Sequence, residues 1–168
     1  MHYLKDDIVE HENLTFRKAQ IHELNDIHLI LSKSFRPYKK DYTKSAFDAT
    51  VLNPTEIQNR IADQKHDIFV VIQNKHIIGT VSLLKKGQDQ LFIRSMAVHP
   101  DYQKRGFGLF ILKKISELAK RKNIKTIFLD TYKPLKRAVK FYEKFGFKYT
   151  GVTQDLYGVE ICEMIIRL

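Results

Sequence analysis

Residues 95–112 read Ser95-Met-Ala-Val-His-Pro-Asp-Tyr-Gln-Lys-Arg-Gly-Phe-Gly-Leu-Phe-Ile-Leu112, an apolar strand that runs through a glycine-bearing turn into a helix. That combination is a phosphate cradle. Gly106 and Gly108 remove side chains where a ligand's phosphates would have to approach the backbone, and Gln103, Lys104 and Arg105 add polar or cationic reach beside them. A helix opening near Gly108 supplies first-turn N–H groups and the positive end of its dipole.

On the N-terminal side of this turn, residues 67–73 and 77–84 read as antiparallel strands joined at Asn74-Lys75, and a turn at Lys86-Gly87 leads into a strand over 90–98. The three form an antiparallel meander. Further upstream, residues 13–20 read as a strand, and 21–35 carry helical spacing through Leu24, Ile27, Leu31 and Phe35. Residues 36–48 are polar and aromatic without a clear period, which predicts a mobile lid, and Asn53-Pro54-Thr55-Glu56 opens a short helix to about residue 64.

On the C-terminal side, Leu109, Leu112, Ile115, Leu118 and Ala119 predict a helix to about Arg121 that packs on the sheet. The strand that follows, 124–131, lies beyond a helical crossover and so should run parallel to 90–98. Pro134 suits the first turn of the next helix, whose apolar face is Leu135, Ala138, Val139, Tyr142 and Phe145, with Gly146 as its left-handed cap. Residues 147–152 and 161–168 read as two closing strands around a loop. The expected class is α/β: a mixed sheet with an antiparallel N-terminal half, one parallel crossover and flanking helices, in a single domain over 1–168.

Composition agrees with that class. A chain of 168 residues suits one core, and a hydrophobic fraction of 43% with 29% charged residues suits a packed domain with a polar surface. No apolar run approaches the roughly 20 residues that cross a bilayer, and residues 1–8 lack a basic patch followed by an apolar signal region. We therefore expect a cytoplasmic protein with no membrane partner. Cys162, alone of its kind, reads as a small packed side chain, and no metal site is expected. The net charge of +10 is concentrated between Lys104 and Lys148, a field that attracts anions: nucleic acid, an acidic membrane surface, a nucleotide or coenzyme A.

The familiar phosphate motifs fail on residues. No Gly-Lys-Ser or Gly-Lys-Thr occurs, which excludes a P-loop. A dinucleotide fingerprint needs a third glycine where Ile111 stands; Asp130 imitates its ribose-binding acid, but the strands before the turn form a meander rather than a βαβ unit.

Residues 96–108 resemble the acyl-CoA signature of the Gcn5-related N-acetyltransferases (GNAT), Gln/Arg-x-x-Gly-x-Gly/Ala after a strand ending in valine, with Gln103, Gly106 and Gly108 in the matching places. A second block, Ala138-Val-Lys-Phe-Tyr-Glu-Lys-Phe-Gly-Phe147, follows at the family's separation, and the element order agrees along nearly the whole chain. The resemblance implies a central parallel pair splayed to bind acetyl-CoA, and direct transfer of the acetyl group to a primary amine of a small molecule or peptide. It implies pantetheine contacts along Met96, Ala97 and Val98 and pyrophosphate contacts from Gln103, Lys104, Arg105, Gly106, Phe107 and Gly108. It puts Tyr142 beside the thioester sulfur as general acid, and it makes a homodimer a common assembly.

Two departures stand out. Many relatives carry an asparagine where this chain has Leu135, and Thr131 or Arg137 would have to substitute. Many place a glutamate, the base that acts through water, where this chain has Phe92. The base is thus open among Glu23, Asp67, Asp155, Glu160, His22, His28 and His99, although His99 before Pro100 reads as shaping the turn. The region 35–47, with Tyr38 and Tyr42, and the loop after Gly151 are expected to line the acceptor pocket. Two other classes compete: a catalytically idle acyl-CoA sensor, and a basic nucleic-acid binder, for which no helix-turn-helix or RNA-binding signature is present.

Overall fold

The computed structural model describes residues 13–168, so the segment 1–8 read above for a leader lies outside them. Strands β1 (Leu14–Lys18), β2 (His66–Gln73), β3 (His76–Lys86), β4 (Gln90–Val98), β5 (Thr126–Tyr132), β6 (Lys148–Leu156) and β7 (Val159–Arg167) form one sheet in the order β1-β2-β3-β4-β5-β7-β6. Every neighbouring pair is antiparallel except β4 and β5. Helices α1 (Leu24–Phe35), α2 (Lys44–Thr50) and α3 (Pro54–Ala62) precede the meander, and α4 (Phe107–Arg121) and α5 (Lys136–Phe145) flank β5 in sequence. This is the mixed α/β sheet expected.

Alternation along the strands divides the core between the two faces. On one, Ile111, Leu112 and Ile115 of α4 pack with Leu91, Ile93, Ile127, Leu129 and Met164. On the other, Ile27, Ile30 and Leu31 of α1 and Ile57 of α3 pack with Ile68, Val70 and Ala97. Cys162 is buried, as its sequence context predicts.

Register creates the opening. Pairing between β4 and β5 runs from Gln90↔Thr126 to Ile93↔Leu129 and stops. Beyond it β4 stays with β3, through Ala97↔Thr80 and Val98↔Gly79, while β5 stays with β7 through Tyr132↔Ile161. A bulge bends β4 away: the register with β3 shifts between Thr80 and Ser82, and Ser95 takes a left-handed φ of +47°. The two central strands therefore part from Arg94 and Asp130 onward.

Four expectations need correction. The first helix is a 3₁₀ turn over Ile21–Glu23 followed by α1. The segment read as having no clear period holds a 3₁₀ helix, Arg36–Asp41, and α2, where Thr43 caps the helix by accepting from the Ala46 N–H at 3.1 Å. Helix α5 begins at Lys136 rather than around Pro134, because the Leu135 N–H donates to Tyr132 O at 2.8 Å in a turn that precedes it. The closing strands run to a two-residue turn at Tyr157-Gly158, with φ of +48° and +85°. Strand β6 is exposed almost throughout, so its sequence carries no alternation to read.

Glu23 shows what anchors the N-terminal helix. Its side chain is 5% exposed and accepts from Arg17 Nη2 at 2.6 Å, Arg17 Nη1 at 3.0 Å and the Gln20 N–H at 2.7 Å. The Arg17 guanidinium, first, holds the Glu23 carboxyl below its ordinary range. Its stabilisation is thus present above the unfolded carboxylate pKa and lost as pH falls through the depressed folded value. Arg17→Ala strands a buried carboxylate and should cost about 1.5–3 kcal/mol; chemical denaturation at neutral pH measures it, and the cost should vanish in acid.

Candidate active site

After Val98 the chain makes a 3₁₀ turn over Pro100–Tyr102, and Lys104 (φ +63°) and Gly106 (φ +79°) both take left-handed backbone before α4 begins at Phe107. Glycine at 106 adopts this conformation without the strain that a side chain brings to it. Gly108 serves a different purpose: a Cβ there would stand 3.2 Å from the Phe141 ring, so its absence lets α5 close onto α4.

The residues expected at the cofactor divide by role. Gln103 Nε2 donates to Val98 O at 3.0 Å, and Ser34 Oγ donates to the same carbonyl at 2.9 Å. Gln103 thus braces the turn instead of extending from it. The Phe107 side chain is buried in the core beside Tyr102, leaving only its backbone at the turn. Arg105 lies over the Tyr102 ring at 5.6 Å. Met96 and Val98 pack on the α4 side and Ala97 on the α1–α3 side, on the stretch of β4 that has lost β5 as a partner. Of the two substitutes for the missing asparagine, Thr131 is buried on β5, whereas Arg137 is exposed in the first turn of α5.

Tyr142 lies on the inner side of α5, its ring 5.4 Å from Phe141 and 5.8 Å from Phe147. Burial pushes its phenol up to about 12, so the hydroxyl stays protonated at neutral pH. It is a proton donor by default.

The base candidates drawn from sequence are hydrogen-bonded, ion-paired or exposed. Glu23 is held by Arg17. Asp67 pairs with Lys18 at 2.5 Å and Lys122 at 3.5 Å. Asp155 accepts from the Gly158 N–H at 3.0 Å, and Glu160 is an exposed partner of Lys133 at 3.7 Å. His22 is exposed, and His28 Nδ1 donates to Leu52 O at 2.8 Å. His99 Nδ1 accepts from the Asp101 N–H at 3.3 Å, the turn-shaping role expected of it.

Asp130 is different. Among the described residues its Oδ1 is the one buried side-chain oxygen or nitrogen without a hydrogen-bond partner. It is the first residue of β5 past the last β4–β5 pair, on the same face as Phe128, which stacks on Phe92 at 6.2 Å. Burial raises its carboxyl above the ordinary range; Arg94 opposes that shift and Glu163, paired with it on β7, adds to it. Read from sequence, Asp130 resembled only an unrelated ribose-binding acid; the signal that could have found it is the two-residue period of β5, which puts it on one face with Phe128 and Tyr132.

On that face a groove of about 400 Å³ is lined by Leu52, Glu56, Asn59, Arg60, Arg94, Leu156 and Tyr157. Tyr42 packs near it against Tyr132, with ring centroids 5.2 Å apart. Thr43 Oγ1 donates to Tyr157 O at 2.7 Å, so the part of the stretch after Gly151 that meets the 35–47 region is the β6–β7 turn, the residues before it continuing β6 to Leu156.

A splayed parallel pair with a glycine turn at its mouth is a geometry other proteins share. The family model described as the acetyltransferase (GNAT) family matches residues 24–147. The chain belongs to the GNAT family. An uncharacterised N-acetyltransferase of Schizosaccharomyces pombe is 24% identical over 76% of this chain and 78% of its own length. The ribosomal protein bS18-alanine N-acetyltransferase of Haemophilus influenzae is 30% identical over 52% of this chain and 58% of its own length. Among solved structures, the PaiA N-acetyltransferase of Thermoplasma acidophilum, in complex with coenzyme A, superposes with a TM-score of 0.78 at 18% identity, covering 93% of this chain and 99% of that one. Among the described residues of this GNAT protein, no helix is long and apolar enough to cross a membrane, and no three His, Cys, Asp or Glu side chains are grouped to hold a metal ion.

Proposed function

We propose that this protein transfers an acetyl group from acetyl-CoA to a primary amine by direct attack, with Asp130 as base and Tyr142 as acid. The observation that carries the reading is the β4–β5 splay, which has an unpartnered buried carboxylate on one face and a protonated phenol on the other. Coenzyme A fits the chain's own features: β4 past Ile93 offers main chain to the amide-bearing arm, and the left-handed turn at Gly106 leads into the N-terminus of α4, where phosphates are favoured.

Asp130 accepts the proton that the attacking amine sheds, directly or through one water. As the C–N bond forms and the C–S bond breaks, Tyr142 passes its proton to the departing sulfur. Holding amine and thioester together removes much of the entropic barrier. The Phe92 position carries no carboxylate, and Asp130 on the adjacent strand supplies one, which favours an enzyme over an idle sensor. Met96, Ala97, Val98, Gln103 to Gly108, Thr131 and Arg137 are proposed as the cofactor's surroundings, in a single cytoplasmic domain.

Calorimetric titration with acetyl-CoA, followed by free-thiol release with a broad amine panel, tests the reading; folded protein that binds no acetyl-CoA sinks it. Gly106→Val forces a β-branched side chain into left-handed backbone at the phosphate turn, a conformation that costs about 1–2 kcal/mol. We expect acetyl-CoA affinity to fall by about tenfold or more, with the fold retained by circular dichroism. An unchanged Kd would remove the turn from the cofactor site.

A further inference from the structure

The groove on the Asp130 side carries two guanidinium groups, those of Arg60 and Arg94. Arg60, from the last turn of α3, is half-buried, and its Nη1 finds only the hydroxyls of Ser95 at 3.4 Å and Ser82 at 3.5 Å. Arg94 stands just past the splay, its guanidinium 5.4 Å from the centre of the Phe92 ring. Among the described residues neither makes an ion pair. Burial, and after it the charge of Arg94, push the Arg60 guanidinium below its ordinary pKa. Glu56, which opposes that shift, is engaged elsewhere: its Oε2 accepts from the Asn53 N–H at 2.8 Å to cap α3.

Two cations at one groove, neither in an ion pair, repel each other, and the partial burial of Arg60 removes water that would screen its charge. An oxyanion resolves both costs. The planar guanidinium fork matches carboxylate and phosphate oxygens in bidentate geometry. Arg94 and Asp130 are the first residues of β4 and β5 past their last pair and lie on the same face, so this face offers an anion to an ammonium group and cations to an oxyanion.

Size follows from the outer wall. The hydrogen bond from Thr43 to Tyr157 ties α2 to the β6–β7 turn, and a Cβ on Gly158 would stand 3.3 Å from the Thr43 methyl. Behind that wall the groove, at about 400 Å³, has the size of a small-molecule site. We infer that the acceptor is a small primary amine bearing a carboxylate or phosphate oxyanion near its nitrogen, with Arg60 and Arg94 as the residues that select the oxyanion. This inference rests on the acetyl-transfer reading above.

The test uses matched pairs: each free amino acid against the amine left when its carboxylate is removed, and aminomethylphosphonate against methylamine. Thiol release from acetyl-CoA gives kcat/KM, and thermal denaturation of the CoA-saturated protein with each probe gives binding without turnover. Charge-assisted hydrogen bonds of this kind are worth about tenfold to a hundredfold, so oxyanion-bearing amines should exceed their partners by that factor and should alone raise Tm. The amino-acid and phosphonate arms show which oxyanion is used. Arg94→Gln should lose most of the preference through KM, leaving acetyl-CoA affinity intact; Arg60→Gln should do the same, and the exposed Arg94 carries the test where Arg60→Gln fails to fold. Equal rates and equal Tm shifts within the pairs, or a preference unmoved by Arg94→Gln, overturn the inference. Failure to bind acetyl-CoA overturns the acetyl-transfer reading instead, and the Tm arm with unsaturated protein still reports oxyanion selection.

Discussion

Asp130→Asn is expected to lower kcat by about a hundredfold to ten-thousandfold, the usual value of a positioned general base, while acetyl-CoA affinity stays near that of the wild type. The carboxyl is raised above its ordinary range by burial, with Glu163 adding and Arg94 opposing. Wild-type turnover should therefore rise with pH through that raised pKa, and the variant should lack this acidic limb. At alkaline pH, where amines arrive already neutral, the gap between the two should narrow. Stability gives an independent reading with a defined sign. A folded-state pKa above the unfolded one means that the group favours folding most when protonated, and that this contribution is lost as pH rises through the folded pKa. Ionised Asp130 is thus a burden at neutral pH, and the asparagine variant should melt at a higher temperature there, by a margin that shrinks in acid. A less active and more stable variant is the outcome expected of a catalytic carboxylate; unchanged turnover with the same gain in stability would make Asp130 merely a poorly solvated residue.

The part of this site that could be read from sequence is local. The turn before α4 is written in Gln103, Gly106 and Gly108, and the helix face that presents Tyr142 is written in the spacing of Ala138, Val139 and Phe145. Even there, packing redistributed the roles. Gly108 faces Phe141 from another helix, and Gln103 turns back onto Val98, neither of which a spacing rule reports. Asp130 was hidden for a related reason. Its importance depends on where β4–β5 pairing stops, and that is set by the bulge at Ser95 on a strand far away in sequence. The convergence of Arg60 with Arg94 likewise comes from α3 packing across the sheet. Strand β6 was legible only in part because an edge strand exposed on both sides has no polar–apolar alternation to reveal its length.

Tyr142→Phe is the complementary expectation, and its chemistry can be separated from its packing. Phenylalanine preserves the ring that lies between Phe141 and Phe147, so the fold and acetyl-CoA affinity should be retained. Only the proton is removed. Turnover should fall by about a hundredfold to ten-thousandfold. With the phenol pushed up to about 12 by burial, the wild-type hydroxyl is protonated across the neutral range, so loss of this acid should depress the rate almost evenly with pH. The raised pKa also means that Tyr142's stabilising contribution is lost only as pH climbs from about 10 towards that folded value, a decline the phenylalanine variant should not share. The decisive measurement varies the leaving group. A donor thioester whose thiol is more acidic needs less protonation as the C–S bond breaks, so the deficit of Tyr142→Phe should shrink with such donors. A deficit that is constant across donors would mean that the hydroxyl orients the substrate and does not protonate sulfur; no deficit at all would reduce Tyr142 to one more member of the aromatic cluster under α5.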